Sequence, residues 1–300
     1  QNSMKILSLF DGISCARVAL ERAGIPVEVY YASEIDGYAM HVSNKNYPDI
    51  IQIGSVNLLE LDESWDYNDI LNDEIDLLVG GSPCQDLSIS KSKTRKGLEG
   101  KKSSLFYEYV RILREVKPKY FILENVASMS DESRDIISKE LGVQPIELNA
   151  KDFSAQNRAR YFWTNIPVQQ PTESSSLVIE DILEDVVNEK YYYSGFPVEI
   201  KDVTKNVIGT IGVAGHDILK RIYNRNSKSA TVTTCAGGNT QHKIIHNARV
   251  RKLTPVEYER LQGLPTDYTK GLSDSQRYKC CGNAFNVDVV AHILSFIQKP

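Results

Sequence analysis

The stretch G-G-S-P-C-Q, residues 80–85, closes an apolar run, and its Cys84 is the residue best suited to nucleophilic chemistry. Gly80-Gly81 is expected to let the chain turn sharply, and Pro83 fixes the backbone just before the thiol. A basic run follows, and positive surroundings favour a thiolate. The plain alternative, a buried inert cysteine, leaves both flanks unexplained. Glu124 ends another apolar run, in F-I-L-E-N-V. It is either a strand cap or an acid aimed into a crevice, where a desolvated carboxyl can donate a proton. In Q-N-R-A-R, residues 156–160, Gln156, Arg158 and Arg160 alternate and so share one face of an extended segment. Two guanidiniums near a thiolate hold an anionic backbone or polarise a carbonyl; otherwise they belong to a salt-bridged strand.

A second group lies at the start of the chain. S-L-F-D-G-I-S-C, residues 8–15, places a glycine-bearing turn after an apolar run, where a backbone can approach a ligand closely. Glu34 stands about 20 residues beyond that turn, the spacing at which an acid accepts hydrogen bonds from ribose hydroxyls. The G-x-G-x-x-G fingerprint is absent, which favours a smaller adenosine-containing cofactor over a dinucleotide.

These residues need a scaffold that brings strand ends together. Short apolar runs alternate with amphipathic stretches through the first half, the pattern of βαβ units around a parallel sheet. Strands are expected at 5–10, 27–33, 50–53, 75–79, 120–123 and 160–164, with helices at 15–23, 38–46, 104–115 and 131–141. Residues 168–176 are polar and linker-like, and the stretch to about residue 248 lacks βα alternation, which reads as a smaller, irregular second domain. Thr254, Pro255 and Glu257 carry helix-start signals, and a last amphipathic helix is expected at 288–298. The expected domains are therefore 4–167, 168–248 and a return to the first domain over 249–300.

The 300 residues suffice to bury a core without staples, and no apolar run approaches the length of a membrane span. No secretory leader is recognisable, so a cytoplasmic protein is expected. The five cysteines form no C-x-x-C pair, which speaks against a zinc site, and no metal is expected. Net charge is −4, yet residues 91–102 carry six basic residues against one acidic, and residues 201–252 ten against two. Two basic segments on an acidic chain are solvated faces or the grip for a polyanion held on one side.

S-P-C-Q, E-N-V, Q-N-R-A-R, R-K-L-T-P-V-E-Y-E-R-L-Q-G-L-P (251–265) and G-N-A-F-N-V (282–287), in this order, resemble the cytosine-C5 DNA methyltransferases of bacterial and phage type. The resemblance covers residues 4–165 and 249–297 and leaves between them the family's variable target-recognition region. It implies a Rossmann-like, S-adenosylmethionine-dependent α/β sheet with a smaller recognition domain. Cys84 would add to C6 of a flipped cytosine, and C5 would then take the methyl group. Glu124 would contact N3 and the exocyclic amine, Arg160 would hold the base carbonyl, and Arg158 would order the site. Phe10, Asp11, Gly12 and Ile13 map around the methionine and adenine, Glu34 and Ile35 at the ribose and adenine, with Ser55 and Val56 beside them. Pro83 and Leu105 line the pocket, and Asn283 and Ala284 fall near the methionine end. Gln85, Ser88 and Ser90 would close over DNA, and Arg221 and Thr231 would lie near bases and phosphates. T-T-C-A-G-G-N-T, residues 233–240, reads as a recognition loop or a glycine-rich surface turn.

Two positions depart from the family pattern. Ser14 and Cys15 stand where glycines are usual, which makes the turn less permissive. Ser55 stands where an acid receives the adenine amine, and a hydroxyl accepts that bond more weakly. The implied partner is double-stranded DNA bound by a monomer, with a cognate restriction endonuclease where the enzyme belongs to a restriction pair. Alternative readings are a catalytically silent DNA-binding relative and a tRNA cytosine-C5 methyltransferase. An unrelated nicotinamide oxidoreductase leaves the motifs from Glu124 onward unexplained.

Overall fold

The computed structural model describes residues 3–56, 65–81 and 104–297. Cys84, Pro83, Gln85, Ser88 and Ser90 lie outside the described residues. The first half alternates as its periodicity predicts: β1 (Met4–Leu9), α1 (Cys15–Arg22), β2 (Val27–Ser33), α2 (Gly37–Asn46), β3 (Ile51–Gln52), α3 (Trp65–Asn72), β4 (Leu77–Gly81), α4 (Ser104–Val116), β5 (Tyr120–Val126), α5 (Asp131–Leu141), β6 (Ile146–Asn149) and β7 (Ala159–Thr164). These strands form one sheet in the order β3-β2-β1-β4-β5-β7-β6, parallel from β3 to β5, with β7 antiparallel to β5. Continuous burial of Ile6, Leu7, Leu77, Leu78, Val79, Ile122 and Leu123 accounts for the parallel arrangement, since such a sheet is covered on both faces.

Strand order reverses between β1 and β4. Ligands of open α/β sheets bind outside the carboxyl ends of strands at such a switch point. Leu9 is in register with Ser33 and Gly80, and Gly81 with Glu124, so the two sequence clusters reach one edge of the sheet.

One expectation is corrected. Gly80 and Gly81 do not turn the chain, because β4 runs on through both. Their lack of side chains serves close packing instead. A Cβ on Gly80 would lie 3.0 Å from the Leu9 carbonyl oxygen and 3.3 Å from the Tyr109 ring, and one on Gly81 would lie 2.6 Å from Glu124 Oε2.

The remaining chain contains β8 (Val198–Ile200), β9 (Val207–Ile211), α6 (Asp217–Lys220), β10 (Arg221–Tyr223), β11 (Lys243–His246), β12 (Arg249–Lys252), α7 (Pro255–Leu261), α8 (Asp274–Asn283) and α9 (Val287–Leu294). The segment expected to be irregular thus holds a five-stranded sheet, ordered β12-β11-β10-β9-β8. Its strands span three to five residues, too short for a period-two pattern to stand out. Thr254 caps α7 as expected, with Glu257 reaching back to the Thr254 N–H at 2.8 Å. The same carboxylate takes a bidentate Arg251 at 2.7 and 2.8 Å with both side chains fully buried.

Two compact units result, Gln1–Leu148 with Ala159–Gln170 and Val289–Pro300, and Asn149–Arg158 with Pro171–Asp288. Residues 249–288, expected to return to the first domain, cluster with the second unit. The Arg251–Glu257 pair, which ties β12 to α7, is one reason. Among the described residues no helix is long and apolar enough to cross a membrane.

Candidate active site

Three features of the first unit converge at the carboxyl edge of its sheet. The first is the turn between β1 and α1. Phe10, Gly12 and Ser14 all have positive φ, at 53°, 59° and 63°. The glycine tolerates this freely, and the other two are strained by their Cβ atoms. Ser14, at a position where the resemblance leads to the expectation of glycine, occupies the left-handed region. Gly12 N–H donates to Glu34 Oε1 at 2.8 Å, and Ile35 and Asp36 N–H donate to Glu34 Oε2 at 2.8 and 2.9 Å. Glu34 is thereby oriented by backbone alone at the end of β2. Beside it, Ile35 is 78% exposed, an aliphatic side chain left in solvent at a strand end. Val56 is buried, its carbonyl 3.4 Å from an Arg111 Nη, and Leu105 packs against the core under the same sheet. Ile13 is buried beneath the turn.

Asp11 does not face solvent. It is buried, with Oδ1 accepting from Tyr30 Oη at 2.6 Å and Oδ2 accepting from Ser14 Oγ. Burial, reinforced by the nearby Glu34 charge and opposed by hydroxyls of Ser14, Ser8 and Tyr30, pushes its carboxyl up to about 6.

The second feature is Glu124 with Arg160. Register places Gly81 beside Glu124, and Val126 beside Arg160 on the antiparallel neighbour. Arg160 Nε lies 3.1 Å from Glu124 Oε1, with both side chains mostly buried. The carboxylate stands over Gly81, whose missing side chain makes the room. The third feature is direction: β4 ends at Gly81, three residues short of Cys84.

The arginines part company. Arg158 is buried in the second unit, where it donates to the carbonyls of Val232 (2.9 Å), Gly282 (3.1 Å) and Ala284 (3.2 Å). Gln156 is fully buried there too, bonding Leu261 O, Gln262 and Val232 N–H. Arg158 thereby braces loops of the second unit, whereas Arg160 of the first unit pairs with Glu124. Gly282 approaches the backbone of Thr233 so closely that a Cβ would lie 2.3 Å from its carbonyl. Asn283 is exposed, whereas Ala284 is buried.

Also in the second unit, Arg221 is exposed on β10 and lines, with Lys201 and Lys220, an open cavity of about 440 Å³. Thr231 Oγ1 donates to the Asn157 carbonyl at 2.7 Å. The 233–240 loop is braced: Lys243 Nζ donates to Asn239 O at 2.6 Å and Gln241 O at 2.9 Å, and Cys235 and Asn239 have positive φ. Burial raises the Cys235 thiol above its ordinary range and lowers Lys243 to about 8.

Sequence reasoning missed the space supplied by Gly81 and the hydroxyl cluster of Tyr30, Ser14 and Ser43 around Asp11. A pair 19 or 29 residues apart leaves no periodic trace. The strained Ser14 was the available signal.

A carboxylate–guanidinium pair beside the end of the strand that leads in sequence to Cys84, and an adenosine-type strand end, suit transfer of a one-carbon group to an electron-poor ring. Comparison with known proteins agrees. The family model described as C-5 cytosine-specific DNA methylase matches residues 4–299. Type II methyltransferase M.HhaI of Haemophilus parahaemolyticus is 28% identical over 324 residues, covering 97% of this chain and 93% of its own. Type II methyltransferase M.SsoII of Shigella sonnei is 30% identical, covering 95% and 78%. Among solved structures, Entamoeba histolytica methyltransferase EhMeth matches with a TM-score of 0.73 at 19% identity, covering 99% of this chain and 98% of that one. S. pombe Dnmt2 methyltransferase matches at 0.68 and 19%, covering 97% of each, a likeness of fold. On the match that runs nearly end to end, the chain belongs to the C-5 cytosine-specific DNA methylase family and is a DNA cytosine-5 methyltransferase.

Proposed function

We propose that the protein methylates C5 of a cytosine flipped from double-stranded DNA at a specific sequence, with Cys84 as covalent nucleophile and S-adenosylmethionine as methyl donor. A base inside the duplex cannot be reached on its face, so extrusion precedes chemistry. The Cys84 thiolate adds to C6, breaking the C5–C6 double bond and pushing electron density onto C5 and N3. Glu124 holds N3 and the exocyclic amine and supplies the proton that makes the ring an electron sink. Arg160, paired with Glu124, keeps that carboxyl in place and holds the base carbonyl. C5 bonds the methyl group as the donor's sulfur keeps the C–S electron pair. The C5 proton then passes to a solvent base, Cys84 leaves C6 as thiolate, and Glu124 takes back the N3 proton, restoring the ring. The observation that carries this reading is the 3.1 Å Arg160–Glu124 pair standing over Gly81, the last residue of the strand that leads to Cys84.

The cofactor residues fit an adenosine-type donor: the Gly12–Glu34 bond presents a fixed carboxylate to a ribose, and exposed Ile35 offers an apolar face to a flat base. When bound, S-adenosylmethionine supplies an electrophilic methyl group. Phe10–Ile13, Glu34, Ile35, Ser55, Val56, Pro83 and Leu105 are the residues proposed to hold it, and the family resemblance assigns Asn283 and Ala284 to its methionine end. Gln85, Ser88 and Ser90 close over DNA, and Arg221, Thr231 and the 233–240 loop read it. The monomeric enzyme works in the cytoplasm, beside a cognate endonuclease where one exists. Basic contacts to phosphate make its DNA binding fall steeply with salt.

Bisulfite sequencing of a naive plasmid expressed with this protein tests the reading: one recurring sequence context should be protected. Parallel tritiated methyl-transfer assays should label duplex DNA; label on tRNA alone, or on neither, overturns it. Ser55→Asp is expected to tighten S-adenosylmethionine binding by about threefold to tenfold, because a carboxylate accepts an amine hydrogen bond more strongly than a hydroxyl. Calorimetry showing equal or weaker affinity contradicts the placement of residue 55.

A further inference from the structure

Ser14 is a helix N-cap that does not cap. It sits at φ 63°, ψ 42° ahead of α1, and its side chain makes no bond to the helix's first N–H groups. A serine there ordinarily accepts from the backbone, and a residue with a Cβ is strained in the left-handed region. The hydroxyl instead turns inward to the Asp11 carboxylate and lies 2.7 Å from Ser43 Oγ, which is itself 3.3 Å from Gly12 O. Tyr30 Oη donates to the other Asp11 oxygen at 2.6 Å. All of these side chains are buried, and they come from β1's end, β2, α1 and α2.

We propose that Asp11, Tyr30, Ser14 and Ser43 form a buried latch that holds the Phe10–Ser14 turn in its cofactor-binding shape. The four are thus positioning residues for an adenosine-type cofactor, an inference that rests on the cofactor reading above. The latch acts through geometry. Ser14 in the left-handed region fixes where Gly12 points its N–H, and that N–H meets Glu34 Oε1 at 2.8 Å. Two further N–H groups fix the other Glu34 oxygen, so the turn sets what the carboxylate presents to a ribose. At this turn the chain holds a strained serine and a buried acid that restrains it.

Among the described residues the charged group acting on Asp11 is Glu34, which repels it, and Arg17 of α1 stands by Tyr30. The Arg17 guanidinium lies 5.8 Å from the Tyr30 ring centroid and is paired with Asp49 at 2.8 Å. The other facing groups are the hydroxyls of Ser8, Ser14, Tyr30 and Ser43. With burial raising Asp11 to about 6, the carboxylate takes up a proton in mildly acid solution and loses acceptor capacity for one hydroxyl. Cofactor binding should weaken as pH falls through that value.

Calorimetric titration of the full chain with S-adenosylhomocysteine at pH 8 and pH 5.5 tests this. The wild type should bind about fourfold more weakly at the lower pH, and Asp11→Asn should show no such step. Ser14→Ala, which keeps the strain and removes the hydroxyl, should bind about tenfold more weakly at pH 8. Ser14→Gly should recover to within about threefold of wild type, because glycine adopts the turn unaided. Tyr30→Phe, which leaves the left-handed residue untouched, is the second arm should Ser14→Ala fail to fold, with about threefold weaker binding expected. Unchanged affinity in Ser14→Ala or Tyr30→Phe, or Ser14→Gly as weak as Ser14→Ala, overturns the latch alone. A wild type that takes up no S-adenosylhomocysteine overturns the cofactor reading and the latch with it.

Discussion

Methyl transfer to cytosine by Cys84→Ala protein should fall to background, a loss on the order of 10⁴-fold or more, with S-adenosylhomocysteine affinity changed little. The size of the effect follows from the chemistry. C5 of cytosine is a poor nucleophile until a soft group adds to C6, and no other described thiol is placed to substitute. Cys15, Cys280 and Cys281 are buried, and burial holds the Cys235 thiol above its ordinary range, which disfavours a thiolate. Retained cofactor affinity follows from topology, since Gly12 and Glu34 stand at the ends of β1 and β2 and bond each other without help from the Cys84 segment. Radiometric transfer and calorimetry on the same preparation check both halves. Transfer above a tenth of wild type removes Cys84 from the mechanism.

Gly81→Ala is expected to lower kcat by about 10²- to 10³-fold while leaving the thermal midpoint nearly unchanged. A Cβ at residue 81 would sit 2.6 Å from Glu124 Oε2, with the next nearest atom, Glu124 Cδ, at 3.8 Å. The obstructed atom is the far end of a side chain, so the fold accommodates the methyl by moving the carboxylate. That movement disturbs the Arg160 pair and the hydrogen bonds proposed to develop at N3. Gly80→Ala supplies the contrast. Its Cβ would meet the Leu9 carbonyl oxygen at 3.0 Å and the Tyr109 ring at 3.3 Å, neither of which moves freely in a packed sheet. Its cost should appear as about 1–3 kcal/mol of stability. Melting curves and steady-state kinetics on both variants separate the two. Equal kinetics in Gly81→Ala and wild type deny Glu124 its proposed role.

The first sheet was legible because parallel strands buried on both faces read as unbroken apolar runs, and each ends at a chemically distinctive residue. Leu77–Val79 and Phe121–Leu123 illustrate this, with Gly80-Gly81 and Glu124 at their ends. The start of α7 was legible for another reason, because a capping box is local: Thr254 and Glu257 specify it within four residues. The second sheet was not legible. Its strands are short, and β10 pairs parallel with β11 through one register pair, leaving little alternation to detect. Residue roles fixed by distant partners were equally hidden. Arg158 alternates with Arg160 in sequence, yet its guanidinium is held by carbonyls 74 to 126 residues away, whereas Arg160 meets Glu124. The turn glycines of β4 misled in the same way: two glycines after an apolar run suggest a bend, and here they mark close approach by Tyr109 and Glu124.

The most direct test offers the enzyme a duplex oligonucleotide carrying 5-fluorocytosine at the methylated position, together with S-adenosylmethionine. Fluorine at C5 cannot leave as a proton does, so a sulfur once joined to C6 should stay there. Mass spectrometry of the tryptic digest is predicted to find a stable covalent nucleotide on Cys84. Oligonucleotide recovered wholly free of protein, under conditions where unmodified cytosine is methylated, would contradict the account at its centre.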